Sequence, residues 1–246
     1  RLDEHLRREL VQIGDEFGKR PVTREDLKNK GEAYTRAALA TARFGGATSF
    51  YLGKIGGHHM MATNYHVLPD GRACTSRVVT FPILQKRYPC TKFYGNWSGI
   101  DLALFSIDVP AADEETMARV GRNFAFGNRL RAGQELVTIG FGAFSNPERK
   151  LVGNDDADCR VYSASGDARF IADPDRINPA DYKAWSFSTG CDVSHGDSGS
   201  AMVDRLSGEV VGIIWTTATQ KPERIRSSSY LDGALRSQHA DVWAWL

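Results

Sequence analysis

The sequence predicts an all-β body, a closed barrel or a sandwich, flanked by helical segments at both ends. Three observations lead to that class. From Phe44 onward the chain breaks into many short β-rich runs separated by Gly and Asn. Its first 43 residues carry apolar and alanine positions at helical spacing instead. There is no internal repeat, and no run approaches the ~20 apolar residues of a membrane span.

Taken in order, Leu6, Leu10, Ile13 and Phe17 recur at helical spacing within Glu4–Phe17, and Gly18 and Pro21 interrupt the pattern. Thr23, with Glu25 and Asp26 behind it, reads as a helix start. A second helix is expected over Asp26–Arg43, rich in the helix formers Ala33, Ala37, Ala38 and Ala40. The extension 1–43 reads as a helical piece packed on the main body, with a pro-segment or clasp as the other reading. Strands are expected at Thr48–Leu52, Met60–Thr63, Arg77–Phe81, Leu102–Ile107, Glu135–Ile139, Arg160–Ala164, Ala184–Ser188, Ser200–Val203 and Glu209–Trp215. Arg119–Arg131 reads as the connection between two halves. Tyr230–Leu246 returns to a helical pattern through Leu231, Leu235, Val242 and Leu246.

At 246 residues the chain holds one large domain or two small ones and buries a core without help from a metal or partner. Its 31 basic and 30 acidic side chains leave a net charge of +1, which gives no electrostatic reason to expect nucleic acid or an anionic membrane. The chain begins at Arg1, and no signal peptide is visible. Its four cysteines, Cys74, Cys90, Cys159 and Cys191, allow three pairings or four free thiols. None are spaced C-x-x-C, which weakens a zinc reading.

The strongest chemical signal is Gly196-Asp197-Ser198-Gly199-Ser200 between two apparent strands. A serine hydroxyl is a poor nucleophile and needs a neighbouring base and backbone N–H groups aimed at the developing oxyanion. Glycines beside it permit that tight path. His66 directly follows the apolar run Met60–Thr63 through Asn64 and Tyr65. Asp101 stands at the mouth of the apolar strand Leu102–Phe105, where a buried carboxylate needs a hydrogen-bonding partner such as an imidazole. The chain order is His66, Asp101, Ser198, unlike the Asp-His-Ser or Ser-Asp-His orders of other serine hydrolases.

With Thr63-Asn64-Tyr65-His66-Val67, Asp101-Leu102-Ala103-Leu104, Gly196–Ser200 and the first-strand segment Ala47–Leu52, the chain resembles the trypsin-like serine peptidases of the chymotrypsin clan. In texture it is most similar to bacterial glutamyl endopeptidases of the V8 type. The resemblance covers roughly Phe44–Trp215 and implies two six-stranded antiparallel β-barrels, 44–122 carrying His66 and Asp101 and 123–246 carrying Ser198. It implies Ser198 as nucleophile, His66 as base, Asp101 as the group orienting it, and the amides of Gly196 and Ser198 as oxyanion hole. No Ile-Val-Gly-Gly start is present, so Asp197 is expected to bond to nearby backbone or to a basic side chain rather than to a freed N-terminus.

The same resemblance assigns Asp192, His195, Trp215 and Thr216 to the substrate pocket. A carboxylate at Asp192 would favour Arg or Lys before the scissile bond. Glutamyl preference is disfavoured because Ile214 stands where the V8 type has His. It also implies the disulfides Cys159–Cys191 and Cys74–Cys90, and with them an exported, oxidising location. The expected partner is a polypeptide substrate, the favoured state a monomer, with no cofactor and no metal. The alternative is a latent or inert binding module with a closed cleft. Lesser features read as structural: His58 and His59 as a polar hairpin tip, Trp243 and Trp245 as packing residues, Lys221–Arg226 as a solvated loop, and Asp155, Asp156 and Asp158 as an acidic loop rather than a calcium site.

Overall fold

The computed structural model describes residues 18–121, 125–126, 130–143, 146–162, 169–172, 183–217 and 242–245. Within them the N-terminal extension is part of the body. Arg20–Pro21 (β1) pairs with a distant strand, Val152–Asn154, through Arg20↔Gly153 and Pro21↔Val152. After a 3-10 turn at Asp26–Asn29, helix α1 (Glu32–Ala40) buries Ala33, Tyr34, Ala37, Ala38 and Ala40.

The helix expected to run to Arg43 stops at Ala40. Thr41 takes an extended backbone and its hydroxyl donates to Ala37 O at 2.7 Å. Thr41–Phe44 is then a strand (β2), in which β-branched Thr41 and aromatic Phe44 are both buried. The first barrel therefore begins at Thr41, three residues before the expected boundary. The helix expected over 4–17 lies outside the described residues.

That barrel is closed. Its other strands are Ala47–Ile55 (β3), His58–Thr63 (β4), Val78–Phe81 (β5), Lys86–Trp97 (β6) and Leu102–Ile107 (β7), with a one-turn helix α2 (Arg72–Thr75) between β4 and β5. The order is β2-β3-β4-β7-β6-β5, and β2 pairs back onto β5. The twelve-residue β6 was not anticipated. Its buried positions, Tyr88 and Cys90, lie between charged residues and beside Pro89. The histidine pair is not at the hairpin tip, which is Gly56–Gly57. Both lie in β4, His58 outward and His59 inward, with His59 Nδ1 2.6 Å from the Tyr51 hydroxyl. Helix α3 (Glu114–Gly121) follows and packs on β3.

The second half contributes Ala125–Phe126 (β8), Leu136–Gly140 (β9), Val152–Asn154 (β10), Arg169–Ala172 (β11), Lys183–Thr189 (β12), Ala201–Asp204 (β13), Glu209–Thr217 (β14) and Val242–Trp245 (β15). They form one sheet in the order β1-β10-β9-β13-β14-β15-β12-β11, with β8 beside β14. Two isolated bridges, Glu135↔Arg160 next to β9 and Val161↔Thr189 at the end of β12, link those two strands through Arg160–Val161, where a strand Arg160–Ala164 was expected.

The C-terminal helix expected over Tyr230–Leu246 is corrected where it is described. Val242–Trp245 is a strand inserted between β12 and β14. Two unpaired ladder edges outweigh a helical spacing of four apolar residues, and Val and Trp are good strand formers. Residues 218–241 lie outside the described set, as do the side chains of Trp243 and Trp245.

One apolar cluster runs from the first barrel through α1 to Val137, Ile139, Val203 and Ile213. A second, built on Leu136, Val161, Phe187, Met202, Val211 and Ile214, surrounds Cys159 and Cys191. Disulfides join Cys74 to Cys90 and Cys159 to Cys191. No helix among the described residues is long and apolar enough to cross a membrane.

Candidate active site

Strands β4 and β7 are hydrogen-bonded neighbours with Thr63 opposite Ala103. The segments just past these ends, Asn64–His66 and Gly99–Asp101, therefore meet. Asp101 has a left-handed backbone (φ 46°, ψ 43°), which Asp tolerates better than most residues. It is fully buried, and its carbonyl accepts from Tyr65 N at 3.2 Å and Asn64 Nδ2 at 3.0 Å. Its carboxylate holds His66 at two points. Oδ1 accepts the His66 backbone N–H at 3.0 Å, and Oδ2 lies 2.7 Å from Nδ1. A carboxylate in this position only accepts, so in the neutral imidazole the Nδ1 proton faces it and the lone pair is on Nε2. The His66 side chain stays 27% exposed, enough for that edge to meet a substrate.

Ser198 lies in the irregular stretch between β12 and β13, half-buried. That stretch is pinned to the first barrel. Thr48 N donates to Ser198 O at 2.9 Å, and the Thr48 hydroxyl to Gly196 O at 2.8 Å. Gly199 sits at φ +88°, and a Cβ there would collide with Thr48 O and crowd Thr63 Oγ1, so no other residue fits. Thr63 is three residues before His66. The structure thus brings the serine loop against Thr48 of β3 and Thr63 of β4.

Asp197, between Gly196 and Ser198, is fully buried. Its Oδ1 meets Lys19 Nζ at 2.5 Å and accepts Gly142 N at 3.0 Å, while Oδ2 accepts Ser194 N at 2.9 Å. Both alternatives expected for Asp197, nearby backbone and a basic side chain, are therefore present, and the basic one comes from the N-terminal extension. Lys19, Arg149 and Asn154 were not singled out in the sequence. Their partners in this region, Asp197, His195 and Asp192, lie 178, 46 and 38 residues away, and nothing local marks them.

The pocket residues come out unevenly. The Asp192 carboxylate accepts the Gly18 amide at 2.5 Å and the Asn154 side-chain amide at 3.3 Å. His195 is exposed. Trp215 is buried, its indole N–H spent on Ser186 Oγ at 2.9 Å, and Thr216 follows it on β14. Asp155 pairs with Lys30, and Asp156 accepts the amides of Asp158 and Cys159. Among the described residues no three His, Cys, Asp or Glu converge as metal ligands.

A closed antiparallel barrel, a buried carboxylate gripping a histidine, and a glycine-flanked serine pressed against the same barrel define a chymotrypsin-like serine hydrolase. Residues 47–213 match the model of the trypsin-like peptidase domain, and the chain belongs to that family: it is a serine protease. Two solved structures of the Rv3671c protease share its fold. One, described as the inactive form, is 17% identical with a TM-score of 0.54, covering 94% of this chain and 99% of that one. The other, an inactive form from M. tuberculosis H37Rv with a serine replaced by alanine, is 16% identical with a TM-score of 0.54, covering 92% and 96%. No curated protein matches the chain.

Proposed function

We propose that the protein is a serine endopeptidase with Ser198 as nucleophile, His66 as general base and acid, and Asp101 as the residue that orients it. The observation that carries this reading is the two-point grip of fully buried Asp101 on His66, at 3.0 Å and 2.7 Å. Ser198 Oγ attacks the scissile carbonyl while Nε2 takes its proton. The oxyanion forms against the amides of Gly196 and Ser198. The imidazolium, stabilised by Asp101, then protonates the leaving amine and an acyl-enzyme remains. Water, deprotonated by His66, hydrolyses the ester and restores Ser198. Each oxyanion donor is worth about 10²–10³ in rate.

The rest of the reading follows the same division. The first barrel carries His66 and Asp101, and the second half, taken as the second barrel, carries Ser198. The substrate lies between them, with His195, Trp215 and Thr216 on the Ser198 side. Preference for Arg or Lys would rest on Asp192, whose carboxylate already accepts two hydrogen bonds, so that preference has weak support. The two disulfides favour an oxidising, exported location. A monomer acting on polypeptides suffices for this chemistry.

The test is labelling with a fluorophosphonate, wild type beside Ser198→Ala, followed by a mixed-peptide cleavage profile. Labelling confined to the wild type supports the nucleophile, and equal labelling of both refutes it. Cuts after Arg or Lys would return Asp192 to the pocket; cuts elsewhere leave it a structural carboxylate.

A further inference from the structure

We propose that Lys19 and Arg149 are positioning residues that hold the 194–198 loop with its two amides presented to the oxyanion. The inference rests on the serine peptidase reading above.

The argument turns on peptide planes. In a trans peptide the C=O of one residue and the N–H of the next point in opposite directions. The His195 carbonyl accepts Ala143 N at 2.9 Å and Arg149 Nη1 at 2.8 Å. While those two donors hold it, the N–H of Gly196 points the other way. The Asp197 carbonyl accepts Ser200 N at 2.8 Å, which directs the Ser198 N–H oppositely in the same manner. Among the described residues no backbone acceptor takes the Gly196 or Ser198 amide. A flip of the 195–196 peptide would put a carbonyl oxygen where a donor is needed and reverse the sign of the field at the oxyanion.

Lys19 acts on the second plane through the Asp197 side chain. The two side chains are 2% and 0% exposed. The carboxylate is tied at once to the ammonium, to Gly142 and to Ser194, so the loop cannot turn without uncovering a buried charge. The ammonium is brought there by its own segment, anchored by β1 on β10 and by Gly18 N on Asp192. Arg149 has a positive φ of 51°, uncommon for a side-chain-bearing residue. A Cβ on Gly196 would strike Arg149 Nη1. The arginine thus packs directly behind the peptide that must not flip. Removing the extension 1–43, as a removable clasp would require, takes Lys19 away from Asp197; on this reading it lowers activity.

The experiment uses the full chain and a peptide found in the cleavage profile. Lys19→Ala is expected to lower kcat about 10²–10³-fold with KM within about threefold, the pattern of a lost transition-state donor. Ethylammonium chloride, whose cation fits the vacated space, is expected to restore at least about tenfold of that loss. Tetramethylammonium chloride, with no N–H, restores nothing. Arg149→Met is expected to lower kcat about tenfold with KM unchanged. A folded Lys19→Ala with kcat within about twofold of wild type, or a loss that ethylammonium does not move, overturns the role of Lys19. If Lys19→Ala does not fold, Arg149→Met decides: kcat within about twofold of wild type overturns the proposal, and the tenfold loss upholds it. A wild type that takes no fluorophosphonate defeats the peptidase reading itself. A labelled wild type with unimpaired variants defeats only this inference.

Discussion

The two halves of the site are held in place by different physics. His66 and Asp101 stand at the ends of strands paired directly in a closed barrel, and their contact is the next step beyond that ladder. Ser198 stands in the loop just before β13, reached by the ladder with β14 only through Gly199 N to Ile214 O and Ile214 N to Ser200 O, both at 2.9 Å. The rest of its placement comes from single side chains and amides elsewhere: Thr48, Arg149, and Lys19, which is 178 residues from the Asp197 it pairs with. Ladder placement is shared among many bonds and resists local change. Borrowed placement is concentrated in a few contacts, so the sensitive substitutions in the second half need not touch the reacting atoms.

The largest expected effect is the loss of the nucleophile. Ser198→Ala should lower kcat by about 10⁴–10⁶-fold, measured on peptide substrate, with an unchanged unfolding midpoint. Asp101→Asn should lower kcat by about 10⁴-fold, because an amide that donates toward Nδ1 selects the wrong imidazole tautomer. The barrel ladder predicts that Asp101→Asn keeps the His66 backbone where it is, which a structure of the variant can check. A displaced β4–β7 corner would break the comparison, showing that the pair helps to build the barrel end rather than resting on it.

The two disulfides sharpen the same contrast at smaller magnitude. Cys159–Cys191 closes a 32-residue separation and ends one residue before Asp192. Cys74–Cys90 closes 16 residues between α2 and β6. Replacing both members of either pair by Ala should lower stability by about 3–4 kcal/mol in chemical denaturation, slightly more for the longer loop. The rates should differ. Loss of Cys159–Cys191 loosens the approach to the serine loop and lowers kcat/KM, whereas loss of Cys74–Cys90 leaves it within about twofold. Equal effects on rate would mean that the loop is no more dependent on its borrowed supports than the barrel is.

The contrast also explains what could be read in advance. Strands β3, β4, β5 and β7 are local patterns and lie where period and residue type suggest, whereas β2 falls in a stretch that reads as helix. Strand β6 escaped because Pro89 and three basic residues, Lys86, Arg87 and Lys92, mask the alternation of Tyr88 and Cys90; the ladder with β5 and β7 overrides local preference. The terminal strand Val242–Trp245 escaped for a similar reason, since its partners are supplied by the fold. That Asp197 needs backbone or a basic side chain as partner was legible from the resemblance, but not that Lys19, Gly142 and Ser194 are those partners. Asp192 was placed in the pocket by its offset from Ser198. An offset carries no information about Gly18, which takes its carboxylate in the structure.

The smallest prediction compares one carboxylate from each half. In the second half Asp204 ends β13, and its carboxylate gathers the amides of Leu206 and Ser207 at 2.9 Å and 2.6 Å and the Gln134 side chain at 2.5 Å. Burial acts to raise its pKa, but the bonds from Ser207, Gln134 and Leu206 outweigh burial and hold it below the ordinary 3.8. A carboxyl group depressed by folding stabilises the fold fully above its unfolded value, and that contribution is lost as pH falls through the native value. Wild type should therefore lose stability as pH drops below about 4, and Asp204→Asn should be flatter there and less stable by about 1–2 kcal/mol at pH 7. In the first half, Asp113 is held low chiefly by its bond from the Lys86 ammonium, aided by Tyr88. An ion pair at the surface is screened by salt, whereas amide bonds to a buried carboxylate are screened far less. High salt should thus shrink the effect of Asp113→Asn on the acid limb and leave that of Asp204→Asn in place. Denaturation series at two ionic strengths between pH 3 and 7 make the measurement; equal salt sensitivity would show that Asp204 too is held by charge rather than by the turn it closes.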